Sequence, residues 1–230
     1  MKVSVIIPAF NEEATILQVL GLVSNQKVDG VQFEIIVIDD GSSDGTLAKL
    51  KSRPDLYTQL VPLAKNGGKG AAVIAGLQYA TGDFILFQDA DLEYDPAEYA
   101  RMLTPIIEHS ADVVIGSRIS APPMTRVYYF WHLVGNRLLT LFFNVIYNTT
   151  FTDIYCGLLI YQRSLLNPGM LKTRGWEQHA EILARIVPKA QRIFEIPISY
   201  FGRKYSEGKK IRARHAFAVG LQILVRRFFD

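Results

Sequence analysis

The sequence lacks several features that mark common protein classes. Its 230 residues include one cysteine, Cys156, so no disulfide can form within the chain, which suits a reducing compartment. It has no run of about 18 consecutive apolar residues, and we expect no membrane-spanning helix. The formal net charge of +3 is too small to indicate nucleic acid, and we expect no such partner. Acidic residues at Glu12 and Glu13 follow the short first apolar stretch at once, which disfavours a signal peptide.

Two nucleotide-binding motifs are also missing. No Gly-x-Gly-x-x-Gly follows the first predicted strand, and Gly68-Lys69-Gly70 lacks the Ser or Thr that completes a P-loop. These absences disfavour a dinucleotide oxidoreductase and a P-loop NTPase. The four histidines have no metal-ligand spacing, and we expect each to be a surface or capping residue. They are His109, His132, His179 and His215.

The most informative stretch is an apolar run, Phe84-Ile85-Leu86-Phe87, that ends in Gln88-Asp89-Ala90-Asp91. The run predicts a buried strand, and open α/β sheets bind ligands just outside the carboxyl ends of their strands. Two carboxylates this close repel each other unless a cation lies near them. Mg²⁺ or Mn²⁺ fits best, because both accept carboxylate and phosphate oxygens. We therefore predict a metal–diphosphate site here; the alternative is a solvated loop.

Strand and helix patterns alternate over residues 1–118, which predicts an α/β fold with a mostly parallel sheet covered on both faces. Asn11 is the predicted N-cap of the first helix. The predicted strands cover residues 3–8, 33–38, 60–63, 84–88, 112–118, part of 153–161, and 192–198. The predicted helices cover 11–23, a segment after 46, 71–80, 96–108, 127–147, a segment from 176, and 216–229.

Residues 127–147 form a long aromatic and aliphatic segment that is too polar to span a bilayer. Either an interfacial amphipathic helix or a core-facing helix with some exposed polar groups would explain its composition. If the helix is interfacial, Trp131, Phe142 and Phe143 would insert. Arg137, together with Arg226 and Arg227 in the last predicted helix, would then meet anionic headgroups.

Several short motifs together resemble the family 2 glycosyltransferases of the GT-A (Rossmann-like) nucleotide-diphospho-sugar transferase fold. Within that family they are similar to the polyprenyl-phosphate, dolichyl-phosphate mannose synthase-like branch. The matching stretches follow one another along the whole chain: Ile7-Pro8-Ala9-Phe10-Asn11-Glu12, Val37 to Thr46, Asn66 to Gly70, Asp89-Ala90-Asp91-Leu92, Gly116-Ser117-Arg118, Asp153-x-x-Cys156-Gly157 and Glu207-Gly208-Lys209.

The resemblance implies a role for each matching residue. The nucleotide sugar would bind at Pro8, Ala9, Phe10, Glu12, Asp39, Lys69, Asp89 and Ala90. The Mg²⁺ or Mn²⁺ cofactor would bind at Asp91, Asp89 and Glu93. The mannose synthases often have Gln at position 93, and Glu93 favours UDP-glucose over GDP-mannose as the donor. The acceptor phosphate would bind at Arg118, Arg203 and Lys209, and the catalytic residues would be Asp91, Asp89 and Arg118. The glycines beside Lys69 would let the backbone approach a ligand, and Asp40 could serve only to organise its turn.

The implied reaction is the metal-dependent, inverting transfer of a hexose from a nucleotide sugar to a polyprenyl or dolichyl phosphate. The enzyme would be cytoplasmic and peripheral, attached to the membrane surface or to a membrane-protein partner. We expect residues 1–212 to form the GT-A domain, with a donor half (1–118) and an acceptor half (119–212), and 213–230 to form a C-terminal amphipathic helix. One alternative is transfer to a glycan or protein hydroxyl, with Glu177, Glu181 or Asp153 as general base. Another is a non-catalytic nucleotide-sugar-binding subunit.

Overall fold

One seven-stranded sheet organises the computed structural model, which describes residues 1–121, 123–126, 129–203 and 215–229. The strands are β1 (Lys2–Ala9), β2 (Gln32–Asp39), β3 (Gln59–Pro62), β4 (Phe84–Phe87), β5 (Val113–Ser117), β6 (Leu159–Gln162) and β7 (Ile193–Pro197). The α-helices are α1 (Ile16–Ser24), α2 (Thr46–Ser52), α3 (Lys69–Leu77), α4 (Tyr99–His109), α5 (Phe130–Tyr147), α6 (Gln178–Ile186) and α7 (His215–Phe228).

The sheet is mostly parallel, as predicted. Its strand order is β3-β2-β1-β4-β6-β5-β7, and only β6 runs antiparallel to its neighbours β4 and β5. Ala9 pairs in register with Asp39, and Asp39 with Pro62, so β1, β2 and β3 end at the same edge. The central strands are near-continuous apolar runs because helices cover both of their faces. That common carboxyl edge is where ligands bind in such sheets.

The first helix begins later than predicted. Asn11 has a left-handed backbone (φ 53°) and lies outside α1, which begins at Ile16. Its side-chain oxygen accepts a hydrogen bond from the backbone N–H of Ser43 at 2.9 Å, and its own N–H donates to the Ser42 hydroxyl at 3.0 Å. The prediction that Asn11 caps this helix is therefore wrong, because Asn11 ties the loop after β1 to the loop after β2.

Helix α5 has one face in the core and one face open. Phe143 is fully buried, whereas Trp131 is 77% exposed. The predicted insertion of Phe143 into a membrane is therefore wrong, because that ring packs against Tyr147 and Phe151. None of the helices within the described ranges is long and apolar enough to cross a membrane.

Helix α7 packs on α5 and α6. The Tyr147 hydroxyl donates to the carbonyl of Ile223 at 3.1 Å, and Arg226 pairs with Glu181 at 3.2 Å. The side chain of Arg226 is only 5% exposed, so the expectation that it meets lipid headgroups is wrong. The division of the chain at residues 118 and 212 stays a prediction.

Candidate active site

Asp40 organises a loop at the carboxyl edge of the sheet. It is buried and accepts hydrogen bonds from the backbone N–H groups of Gly67 and Gly68, at 2.9 Å each. Burial raises the pKa of Asp40 above its ordinary range, although these two bonds lower it. Asp40 therefore holds the loop leading into α3, rather than its own turn after β2 as the sequence suggested.

Asp39 offers an unpaired oxygen at the same edge. Its Oδ2 accepts from the backbone N–H of Ser42 at 3.3 Å. Its Oδ1 is buried and has no hydrogen-bond partner among the described residues. Buried polar atoms are nearly always paired, so this oxygen suits a donor on a bound molecule, such as a base N–H or a ribose hydroxyl.

Lys69 and Asp89 link α3 to the end of β4. The two form an ion pair, and the Lys69 ammonium lies 5.2 Å from the centroid of the Trp176 ring. The backbone N–H of Gly70 donates to the carbonyl of Arg174 at 2.8 Å, and a Cβ at Gly70 would lie 2.6 Å from the Arg174 carbonyl carbon. Gly70 therefore lacks a side chain because its backbone packs against the backbone of Arg174, and not against a ligand as predicted.

Arg203 lies among three carboxylates. Its guanidinium pairs with Asp91 and, at 3.4 Å each, with Glu12 and Glu93. Its backbone N–H donates to Glu93 at 2.7 Å, and the Tyr200 hydroxyl donates to the same carboxylate at 2.9 Å. Burial works to lower the pKa of Arg203, but the three carboxylates outweigh it and the net shift is upward. One permanently charged guanidinium is thus shared by three acidic groups and offsets only part of their negative charge.

The carboxylates fit a divalent ion in chemistry but not as the predicted set of three. No three Asp, Glu, His or Cys side chains in the described ranges are placed to hold an ion together, so Asp89, Asp91 and Glu93 do not form one ligand group. The reason is that Glu93 and Asp89 each have their own partners. Burial, followed by the charges of Asp89 and Glu93, raises the pKa of Asp91 to about 7, although Arg203 opposes the shift. That excess of negative charge suits a hard cation at Asp89 and Asp91.

Arg118 is held by Asp153, which sequence reasoning offered as a general base. The guanidinium donates to both carboxylate oxygens, at 2.7 and 2.8 Å, and Asn136 donates to Asp153 at 2.7 Å. Burial works to raise the pKa of Asp153, but the Arg118 charge and the hydrogen bonds lower it overall. Arg118 also lies 5.1 Å from the centroid of the Tyr200 ring. This pair connects the predicted donor and acceptor halves.

A cavity lies between the carboxyl edge of the sheet and the loop before α6. Its lining includes the predicted residues Pro8, Lys69, Asp89, Glu93 and Arg118. It also includes residues that sequence reasoning did not assign to the site: Tyr94, Tyr155, Trp176, Gln178, His179 and Tyr200. Apart from Tyr94, these residues lie far from Asp89 in the sequence, and the fold brings them to this cavity.

His179 is a cavity residue, and its prediction as a surface or capping residue is wrong. Its Nε2 is buried without a partner among the described residues, and its ring lies 6.1 Å from the Tyr155 ring, centroid to centroid. Burial, followed by the charge of Lys69, lowers the pKa of His179 to about 4, so the ring is neutral at pH 7. Trp176 and His179 are three residues apart at a predicted helix start, and that spacing places them on one side. This three-residue spacing is the sequence feature from which a shared position at the cavity could have been predicted.

The remaining predicted residues divide into three groups. Ala9 and Ala90 are buried near the edge, and the Ala90 carbonyl accepts from the Thr15 hydroxyl at 3.0 Å. Phe10 directly follows β1, and its contact with a base stays a prediction. Lys209 lies outside the described residues.

The open parallel sheet, with acidic residues at the ends of its second and fourth strands, is the GT-A glycosyltransferase fold. The family model "Glycosyl transferase family 2" matches residues 4–168, and the chain belongs to this family. The predictions of the fold, of a glycosyltransferase, and of a resemblance to polyprenyl-phosphate sugar synthases are confirmed.

Individual relatives are similar over most or all of the chain. The dodecaprenyl-phosphate galacturonate synthase of Rhizobium johnstonii is 29% identical over 245 residues, covering 100% of this chain and 67% of the relative. Glucosyl-3-phosphoglycerate synthase from Mycobacterium tuberculosis, solved with Mn²⁺, UDP and phosphoglyceric acid, superposes with a TM-score of 0.73 at 20% identity. That match covers 100% of this chain and 79% of the solved one.

S. aureus TarS 1–349 in complex with UDP-GlcNAc superposes with a TM-score of 0.66 at 20% identity, over 98% of this chain and 66% of that one. The chain therefore spans about two thirds of the length of TarS 1–349 and of the galacturonate synthase.

Proposed function

We propose that the chain transfers one sugar, a hexose or a hexuronic acid, from a UDP-sugar to the phosphate of a polyprenyl phosphate, with inversion at the anomeric carbon. The observation that carries this proposal is the state of the acidic groups in the acceptor half. An alcohol acceptor needs a general base, and the carboxylates that could serve are committed to other partners.

Asp153 has no basic oxygen to offer. Arg118 occupies both of its carboxylate oxygens, and Asn136 takes a further bond from one of them. Its pKa is lowered overall, so the carboxylate is a weaker base than an ordinary aspartate.

Glu181 is equally committed. It is fully buried, accepts from the Thr173 hydroxyl at 2.6 Å, and pairs with Arg185 and Arg226 at 3.2 Å each. Glu177 accepts from the backbone N–H of Gly175 at 3.2 Å and is not among the described residues that line the cavity. None of these three carboxylates is therefore suited to act as the general base that an alcohol acceptor needs.

A phosphate monoester avoids the need for a base. Its second pKa is about 6, so it is largely dianionic at neutral pH and can attack the anomeric carbon directly. One of its oxygens forms the new bond to that carbon while the bond to the diphosphate breaks, and no proton has to move. Arg118 suits the task of orienting such an acceptor, because a guanidinium has five N–H donors and Asp153 engages only Nε and Nη2 of Arg118. A role for Arg203 in holding the acceptor phosphate stays a prediction, because its Nε, Nη1 and Nη2 each contact a carboxylate.

The donor half supplies the complementary groups. The unpaired Oδ1 of Asp39 suits the base or ribose, and the Lys69 ammonium lies at the cavity beside Asp89. Asp89 and Asp91 would hold Mg²⁺ or Mn²⁺, which when bound offsets the negative charge that develops on the leaving diphosphate. The relatives support this choice, because one is named for galacturonate transfer to dodecaprenyl phosphate and others were solved with UDP and Mn²⁺ or Mg²⁺.

The test is transfer from a panel of labelled donors to a short polyprenyl phosphate in the presence of Mn²⁺. We expect a lipid-linked product from UDP-glucose or UDP-galacturonate, little from GDP-mannose, and none after chelation. Asp55→Asn is the control, because Asp55 is exposed and its ion pair with Arg53 is also exposed. Absence of lipid-linked product with every donor would overturn the proposal.

The open face of α5 is the proposed contact with the lipid surface. The exposed apolar side chains on it are Phe130, Trp131, Leu138, Leu141 and Val145. A polyprenyl acceptor requires the site to face a bilayer, and exposed aromatic residues favour the headgroup region. Arg137 and Arg227 are exposed nearby and suit anionic headgroups. This supports peripheral attachment.

A further inference from the structure

A buried nitrogen in the cavity wall has no protein partner. Nε2 of His179 is buried, the described residues give it no hydrogen bond, and His179 is one of the residues that line the cavity. Such atoms are rare in folded proteins, and a bound molecule that supplies the missing partner explains one. The neutral imidazole can either donate or accept at this nitrogen, depending on its tautomer.

Two hydrogen bonds hold the residues that precede His179. The side chain of Gln178 donates to the carbonyl of Gly70 at 2.7 Å, which fastens the start of α6 to α3. The Tyr155 hydroxyl donates to the carbonyl of Trp176 at 2.8 Å and holds the preceding turn. His179 thus follows a segment that is fixed without a ligand, and its side chain lines the cavity.

The cavity joins the two ends of the proposed reaction. Lys69 and Asp89 line it on the donor side, and Arg118 lines it on the side of the acceptor phosphate. The group that must lie between the diphosphate and the acceptor is the transferred sugar. Trp176 and Tyr155 add aromatic walls, and an apolar lining with a few fixed polar groups is typical of small-molecule sites.

We propose that His179 is a specificity-determining residue whose Nε2 forms a hydrogen bond with a ring hydroxyl of the transferred sugar. This inference rests on the proposed function and deepens it, because it identifies the part of the donor that the residue recognises. A buried polar group that loses its substrate partner stays unpaired, so such sites discriminate strongly against donors that lack the hydroxyl.

The test compares the binding of UDP with that of UDP-sugars by titration calorimetry, using UDP-glucose, UDP-galactose and UDP-galacturonate. For the sugar that binds best, we expect His179→Phe to weaken UDP-sugar binding about 10- to 100-fold and to change UDP binding less than about twofold. His179→Gln keeps a polar group and should recover part of the loss. His109→Phe is the matched control, because His109 is exposed at the end of α4 and should change neither affinity.

These titrations distinguish a failure of the His179 proposal from a failure of the proposed sugar transfer. Equal losses for UDP and UDP-sugar, or no loss for either, would overturn the inference and leave the proposed function intact. Failure of the wild type to bind UDP or any UDP-sugar would overturn the proposed function, and the inference with it. If thermal unfolding indicates that His179→Phe is misfolded, the affinities of His179→Gln for UDP and for the UDP-sugar are compared instead. We then expect a smaller loss of affinity that is still confined to the UDP-sugar.

Discussion

Asp91 and Asp153, which lie in the predicted donor and acceptor halves, are both buried, and their charges are compensated differently. Asp91 shares the guanidinium of Arg203 with two other carboxylates, and its pKa is raised to about 7 by burial and by the acidic groups beside it. Asp153 has Arg118 to itself through two short bonds, and its pKa is lowered overall. Similar burial therefore produces opposite electrostatic states.

This difference separates a group that is prepared for a ligand from one that completes the structure. Asp91 has negative charge that the protein alone does not balance, so a cation can still bind favourably there. Asp153 has both oxygens satisfied, so it fixes the position of Arg118 and has little capacity for chemistry. Substitutions at the two sites should consequently fail in different ways.

Removing the charge of Asp153 should give the largest loss of stability. Asp153→Asn leaves the Arg118 guanidinium buried without its counter-charge, which costs about 3–5 kcal/mol of the free energy of unfolding. Denaturant titration measures this loss. Asp55→Asn breaks the exposed pair with Arg53 and should cause no measurable change in stability. Equal losses of stability in the two variants would contradict a structural role for the Asp153–Arg118 pair.

Removing the charge of Asp91 should instead affect turnover. We expect Asp91→Asn to lower kcat about 10²- to 10³-fold, as the loss of one transition-state contact does elsewhere. Its stability at pH 8 should stay the same or rise, because an unfavourable buried charge has been removed. Steady-state kinetics and denaturant titration on the same sample check both parts. A large stability loss without a kinetic defect would mean that Asp91 is structural.

The raised pKa of Asp91 predicts a pH dependence of metal binding. Below about pH 7 a proton occupies the carboxylate and competes with the ion, so the apparent Mn²⁺ affinity should fall about tenfold per pH unit and should level off above pH 7. In the metal-free protein, the contribution of Asp91 to the free energy of unfolding changes with pH in the opposite direction. The folded state keeps this proton up to about pH 7, whereas an unfolded aspartate releases it near 3.8, so this contribution declines as pH rises through that window.

Calorimetric Mn²⁺ titrations at pH 6, 7 and 8 measure the metal effect, and Asp91→Asn should abolish its pH dependence. A pH-independent affinity in the wild type would contradict the assignment of Asp91 to the ion.

The smallest expected effect concerns the membrane. Exposed arginines contribute about 1 kcal/mol each near an anionic surface, so the protein should float with anionic vesicles at low salt and leave them at high salt. Replacing both Phe130 and Trp131 with Ser should reduce the floating fraction severalfold. Tyr79→Ser removes an exposed aromatic ring from outside this face and should change nothing. Flotation that is unaffected by the double substitution would exclude α5 as the docking face.

The local parts of the fold could be predicted from the sequence. Apolar runs that stop at polar residues identified β1, β2, β4 and β5, and the Asp89-Ala90-Asp91 stretch fell at the end of a strand as expected. The antiparallel direction of β6 could not be predicted, because a short apolar run has no signal of direction. The left-handed backbone of Asn11 was missed because its partner Ser43 lies 32 residues away.

The site was predicted where it depends on motifs and missed where it depends on long-range packing. Arg203 was expected to meet a phosphate, but its pairing with Asp91, 112 residues away, has no local signature. The same is true of Arg226 and Glu181, and of His179, whose place in the cavity depends on how α6 packs against α3. Predicted roles for Pro8, Phe10 and Lys69 in nucleotide binding stay predictions.

The central claim is that the acceptor attacks as a phosphate without help from a protein base. The most direct measurement compares a polyprenyl phosphate with the free polyprenol of the same chain length as acceptors, using wild type and Glu177→Gln. We expect glycosylated product only from the phosphate, with a rate that Glu177→Gln changes less than about twofold, because no proton must be removed. Product from the polyprenol that is lost in Glu177→Gln would contradict the account.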